Sequence, residues 1–189
     1  MAAALRNRST STTSSAIKIG IAGGFVGSLV MAMYAMIISD WVKDTGFFTP
    51  LYHIASSIIS PTYMMESMSA AMHGSNFYFA GGPAIVGLFV HMMTGAVAGV
   101  IFVLIARTTS IKGFSAVIAG GAFGILVMVI NGFVGLPIVA NLFGGAKPIS
   151  DMAKMVGWGH FTIEHLIFGM ALGLIYSRST SRRSTSTAT

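Results

Sequence analysis

The 189-residue chain predicts an all-α integral membrane fold, a four-helix bundle made of two tandem parallel-repeat helical hairpins with short amphipathic helices in its outer loop. Three observations predict it. Composition is the first: 54% of residues are hydrophobic, 8% are charged, and mean hydropathy is +0.79. Soluble domains carry about 25% charged residues, so this chain has too little charge to cover a water-facing surface. Second, four stretches are apolar over the roughly 20 residues that a hydrocarbon core requires. Third, IAGGFVGSLVMAM at 21–33 returns as IAGGAFGILVMVI at 118–130, identical at eight of thirteen positions. His91-xxx-Gly95-xxx-Gly99 likewise returns as His165-xxx-Gly169-xxx-Gly173.

The elements follow in order. Residues 1–16 form a basic tail whose Ser/Thr-rich stretch RNRSTSTTSS has no apolar residues to bury, and predict disorder. Residues 17–106 are the first hairpin, with spans at 17–38 and 83–106 around a long outer loop, 39–82. The first span is too long for a signal-peptide core and shows no small-residue cleavage site, so it reads as retained. Within the loop, Thr49-Pro50 and Ser60-Pro61 each set a capping residue before a helix-starting proline. They predict short helices near 50–59 and 61–73 that lie at the membrane interface or cap the bundle. Residues 107–113 are a short connection. Residues 114–176 are the second hairpin, with spans at 114–137, ended by Pro137, and at 156–176. Residues 177–189 are a second basic tail, also predicted disordered.

Charge sets the orientation. Arg6, Arg8, Lys18, Arg107, Lys112, Arg178, Arg182 and Arg183 flank one side with no acidic residue among them. The other side has Lys43, Lys147 and Lys154 with Asp40, Asp44, Glu66 and Asp151. The basic side should be cytoplasmic, with both termini inside, in a multi-pass cell-membrane protein. Juxtamembrane basic residues are explained by insertion and anionic lipid, so no nucleic-acid partner is implied. The lipid bilayer is the expected partner, with other membrane subunits or further copies of the chain.

Glycines predict close packing. Gly20, Gly23, Gly24 and Gly27 form overlapping small-xxx-small pairs, and Gly95-Gly99, Gly120-Gly124 and Gly169-Gly173 repeat the spacing. In lipid no hydrophobic force separates a partner helix from an acyl chain, so close backbone approach must drive association. Each repeat histidine, His91 or His165, lies on the same stripe as its glycines and should face a neighbouring helix.

The second hairpin adds polar residues. His160 and Glu164 occupy the positions of Val86 and Val90, and Asn131 that of Tyr34. A carboxyl within a span is costly and faces protein or water. His91, Asn131, His160, Glu164 and His165 are the candidate polar cluster. The plainest expectation is interhelical hydrogen bonding, with His160 bonded to Glu164. The alternatives are a proton or small-solute path, or haem held by paired histidines. Met64, Met68 and Met72, with His73 beside them, are candidate copper(I) ligands, since thioether and imidazole suit that ion. Methionine as a flexible apolar filler is the competing explanation, and an absence of cofactor is the simpler expectation.

With no Cys, disulfides, thiolate metal sites and thiol nucleophiles are excluded. No hydrolase triad, phosphate loop or nucleotide fingerprint is visible, so a self-contained enzyme is not expected.

Those spans, the H-xxx-G-xxx-G helices and their repetition resemble small four-helix prokaryotic membrane proteins of the YagU-like, domain-of-unknown-function kind. The likeness covers about residues 17–176 apart from most of 45–80, and touches His91, Gly95, Gly99, His165, Gly169 and Gly173. It implies a fold and a membrane location and no activity. The expected function is therefore that of a non-enzymatic accessory or structural subunit. The alternative is a ligand-handling protein that binds copper or haem or conducts a proton or small solute.

Overall fold

The computed structural model describes residues 2–109, 111–143 and 146–186. Among these there are helices and no strands. Three helical stretches are long and apolar enough to cross a membrane: Thr13–Trp41, Gly81–Ala106 and Phe114–Phe143. They belong to α1 (Ala2–Trp41), α4 (Gly81–Ala106) and α5 (Phe114–Ile130), the last continued by a π-helical turn (Asn131–Gly135) and α6 (Leu136–Phe143). The fourth long helix, α9 (Trp158–Ser186), is not among the three. His160, Glu164 and His165 sit within two turns near its start and lower its hydropathy.

Two expected boundaries move. Pro137 does not end its span. A proline lacks the N–H that bonds four residues back, and its ring collides with that carbonyl. The π-helical turn just before it absorbs the misfit: Leu136 N–H bonds Asn131 O, five residues back, and the helix runs on to Phe143. At the chain ends, segments expected to be disordered are helical from Ala2 and through Ser186; Met1 and 187–189 lie outside the described residues. No proline or glycine falls between Ala2 and Ile19 to interrupt the helix.

Backbone contact at glycine sets how the long helices pack. A Cβ on Gly24 would overlap Gly95 O, and one on Gly99 would overlap Gly20 O, so α1 and α4 touch backbone to backbone. A Cβ on Gly120 would overlap Gly169 O, and one on Gly124 would overlap His165 O, which joins α5 to α9 in the same way. Gly23 and Gly27 turn to another face of α1, where Leu172 and Phe168 of α9 press on them. The order across the molecule is therefore α4–α1–α9–α5, and α4 touches α5 only lightly.

This order distinguishes the two similar segments, 21–33 and 118–130. Gly23 and Gly27 align with Gly120 and Gly124 in sequence, yet both pairs face α9, from opposite sides. The contact that α1 makes with α4 uses Gly20 and Gly24 instead. Identical residues thus serve different interfaces. Gly87, absent from the sequence-based packing set, also makes a close approach: its Cβ would overlap Leu51 O. It continues the stripe Gly87-His91-Gly95-Gly99 back by one step, which was the available signal.

Core side chains cluster at the end of the helices that carries Arg107 and Lys112. Phe102, Val103, Ala116, Phe168, Leu172 and Tyr176 are buried there. Phe102 meets Phe123 at a ring separation of 5.3 Å and Tyr176 edge-on at 5.9 Å, bridging α4, α5 and α9. The opposite end is covered by loop elements: α2 (Thr49–Ala55), α3 (Thr62–Met72), α7 (Ala146–Ser150) and α8 (Met152–Val156). The short helices are a cap, and α2 packs into the bundle against α4. Leu51, Tyr52, His53 and Ala55 of α2 are all buried. Thr49 is not the predicted cap residue of α2. It is the first helical residue, and its hydroxyl donates to Thr45 O and pairs with the Ser67 hydroxyl. Tyr52 is a pivot of this cap, donating to Tyr78 O at 3.1 Å and accepting from Ala80 N–H at 2.8 Å. Tyr78 in turn donates to Glu66 at 2.6 Å, and that carboxylate pushes the Tyr78 pKa up to about 12.

Candidate interhelical cavity

Between the aromatic floor and the loop cap the helices line a partly open cavity of about 290 Å³. Every long helix contributes to it. Ser28 comes from α1, His91 and Thr94 from α4, Val127 from α5, and Glu164 and His165 from α9. The cap supplies His53 from α2 and Ile149 from α7. The sequence explains why space remains here. Below, Phe102, Phe123, Phe168 and Tyr176 fill the gap between helices. At cavity level α1 turns Ala32 and Ala35 inward, too small to reach across, beside Ser28, Met31 and Ile38 of the same helix.

Of the predicted polar cluster, four members converge on this cavity and one does not. His91, Asn131, Glu164 and His165 line it. His160 points elsewhere and shares a 3.1 Å hydrogen bond between its Nδ1 and the Tyr34 hydroxyl. The expected His160–Glu164 bond is therefore absent, although the two are four residues apart on one helix. Glu164 is 4% exposed, and its Oε1 has no hydrogen-bond partner. Such an atom is uncommon, because an unsatisfied buried oxygen costs about 1–3 kcal/mol.

The imidazoles are oriented by the backbone. A carbonyl oxygen can only accept, so the ring nitrogen facing it must donate. His91 Nε2 donates to Ser28 O at 3.0 Å, crossing from α4 to α1. His165 Nδ1 donates to Phe161 O at 2.8 Å, one turn back on its own helix. His53 Nε2 donates to Pro148 O at 2.6 Å and ties α2 to the short helices before α9. His53 is not among the residues that the sequence singles out. Its role emerges from a contact 95 residues away in the chain, which no local pattern announces.

The proposed methionine cluster is split. Met64 is buried and lines the cavity with Met68, whereas Met72 is 76% exposed and His73 is exposed. The period of four spreads over two faces because the helix needs 3.6 residues per turn and α3 turns only part of its surface inward. His73 Nδ1 donates to Ser69 O at 2.7 Å. Met31, Met152 and Met155 reach the cavity instead. Among the described residues no group of three or more His, Asp or Glu side chains is arranged to hold a metal ion. The cavity is also small for a porphyrin, standing at the lower edge of the roughly 300–1,000 Å³ typical of drug-sized ligands.

Burial lowers the pKa of His53, and the bond to Pro148 O only partly offsets this. A histidine whose folded pKa is depressed binds its proton more readily when its surroundings unfold. Its contribution is complete above the ordinary value near 6.5 and is lost as pH falls below it. The cap should therefore loosen on mild acidification. Thermal midpoints measured at about pH 7.5 and pH 5 should fall more in the wild type than in His53→Gln, which can still donate to Pro148 O. Equal slopes would exclude His53 as the group responsible.

No protein-family model, curated protein or solved structure matches the chain.

Proposed function

We propose that this is a four-span membrane protein that handles a small ligand in the cavity between its helices, and that it carries out no chemistry of its own. One observation carries this reading: a cavity walled by all the long helices holds an unpartnered buried carboxyl and three imidazoles anchored to backbone carbonyls. Isolated polar groups within a span are costly, and a purely structural bundle would pair them or omit them. In this reading α9 is the fourth span, its polar turns facing the cavity and its apolar face the lipid. The two hairpins descend from one duplicated unit, although their contacts have diverged. The loop holding Arg107 and Lys112 faces the cytoplasm, which puts the cavity in the outer half of the membrane.

A second reading, an accessory subunit of a larger assembly, is favoured by a separate feature. Only 17% of the most apolar part of the Phe114–Phe143 span is buried. That leaves most of its surface for lipid or a partner chain.

The cavity reading is tested by blocking it. Ala98 lines the cavity from α4, and Ala98→Phe places a ring in it. Native mass spectrometry of wild-type protein released from mild detergent should show a one-to-one small-molecule adduct, carried over from the membrane or added. The adduct should be missing from the variant while the fold is retained. Identical spectra for the two proteins would remove the cavity as the binding site.

A further inference from the structure

The polar atoms of the cavity wall divide unequally between donors and acceptors. Most hydroxyl donors are already engaged with backbone carbonyls: Ser39 with Gly46 O at 2.7 Å, Thr45 with Ser39 O at 3.1 Å, Ser57 with Ile54 O at 2.7 Å and Thr94 with Val90 O at 2.9 Å. Each of the three imidazoles uses its N–H on a backbone carbonyl. As a neutral ring each then presents a lone pair from the other nitrogen: Nδ1 of His53, Nδ1 of His91 and Nε2 of His165. Glu164 Oε1 adds an unpartnered oxygen to this set. What remains on the donor side is the Ser28 hydroxyl, the Asn131 amide and, at the capped end, Lys43. A ligand that brought only acceptors, such as a carboxylate or phosphate ester, would meet a wall of the same kind. A ligand that brings donors completes it.

We propose that the cavity binds a small hydrophobic amine, its nitrogen held at Glu164 and the neighbouring imidazoles and its hydrocarbon part among Leu51, Val127, Phe161 and Phe168. This rests on the ligand-handling reading and adds the chemical class. An ammonium group has three donors and no acceptor, which is the complement of the wall. Carboxyl and amine hold one proton between them, whichever side carries it, so the pair enters the apolar interior with no net charge. Methionine sulfurs are polarizable and suit the surroundings of a cation. The volume agrees: an apolar cavity of about 150 Å³ accommodates benzene, so about 290 Å³ takes an aromatic ring with a short amino-bearing arm. Access from the bilayer is also built in. α4 touches α5 only lightly, and Thr94 of α4 is both exposed and part of the wall. An amphiphile dissolved in lipid can enter through that side.

Three matched probes test the class on wild-type protein in mild detergent: benzylamine, benzyl alcohol and toluene, read by saturable thermal stabilisation. Benzylamine should bind about ten-fold more tightly than benzyl alcohol or better, the size of one charge-assisted hydrogen bond. Glu164→Gln should bring the two to within about two-fold of each other while toluene is unaffected, since one charge-assisted bond is what separates them. Should Glu164→Gln fail to fold, the wild-type series still decides. Equal stabilisation by all three probes, abolished by Ala98→Phe, would overturn the amine and leave the cavity as a site for apolar solutes. Stabilisation by none of them would overturn both the amine and the ligand-handling reading.

Discussion

Gly24→Ala should destabilise the protein severely and Gly23→Ala, one residue away on the same helix, only mildly. The difference lies in what the new methyl group meets. At Gly24 it overlaps the carbonyl of Gly95, and backbone of one long helix cannot yield without moving the whole helix. At Gly23 it meets the Cδ1 of Leu172 at 2.8 Å, the far end of a flexible side chain that can rotate away. Overpacking of the first kind costs about 1–3 kcal/mol and can cost more. The same contrast recurs in the other pair of helices. Gly120→Ala would strike Gly169 O, whereas Gly121→Ala meets only side-chain carbons of Leu166 and Met170 at 3.1 and 3.3 Å. Gly82, with nothing within 4 Å, is the control. Alanine there should be neutral or stabilising by up to about 1 kcal/mol, through helix propensity. Thermal unfolding of the five variants in one detergent settles the matter. If Gly23→Ala and Gly24→Ala behave alike, the backbone contact between α1 and α4 is not what joins them.

The long apolar helices were legible because their signal is local. An uninterrupted run of twenty apolar residues needs no knowledge of the rest of the chain, and 17–38 and 83–106 fall within α1 and α4. Glycine spacing announced close contact but not its direction. Gly23 and Gly24 are equally glycine in the sequence, and only the crossing of α1 between two partners separates their roles. Pro137 predicts a terminator because the usual helix cannot pass it. The wider turn at Asn131–Gly135, which lets it pass, has no strong sequence signature. The i, i+4 spacing of His160 and Glu164 predicts their pairing, yet such spacing places side chains on one face and does not make them bond. Tyr34, on another helix, offered His160 a better partner. The cavity itself was out of reach. It is a volume left between elements far apart in the chain, and His53 enters it only because α2 folds inward onto Gly87.

Glu164→Met should make the protein more stable, which is the reverse of what a structural role for that side chain requires. Methionine matches the length of glutamate and replaces a carboxyl that has an unpartnered oxygen with a thioether at home in an apolar wall. Removing an unsatisfied buried polar group should recover about 1–3 kcal/mol. His160→Leu provides the opposite sign. It deletes the bond to Tyr34 that links α9 to α1, and interhelical hydrogen bonds of this kind contribute about 0.6 kcal/mol and at most about 2. Two polar residues four apart on one helix should thus respond in opposite directions, one as a strut and one as a liability retained for binding. Sites that work on a ligand commonly hold such unsatisfied groups, and proteins gain stability when they are removed. The measurement is the thermal midpoint of each variant without added ligand, followed by benzylamine titration. A drop in midpoint for Glu164→Met would show that the carboxyl supports the bundle after all. A gain in midpoint with unchanged benzylamine binding would place the amine site somewhere other than Glu164.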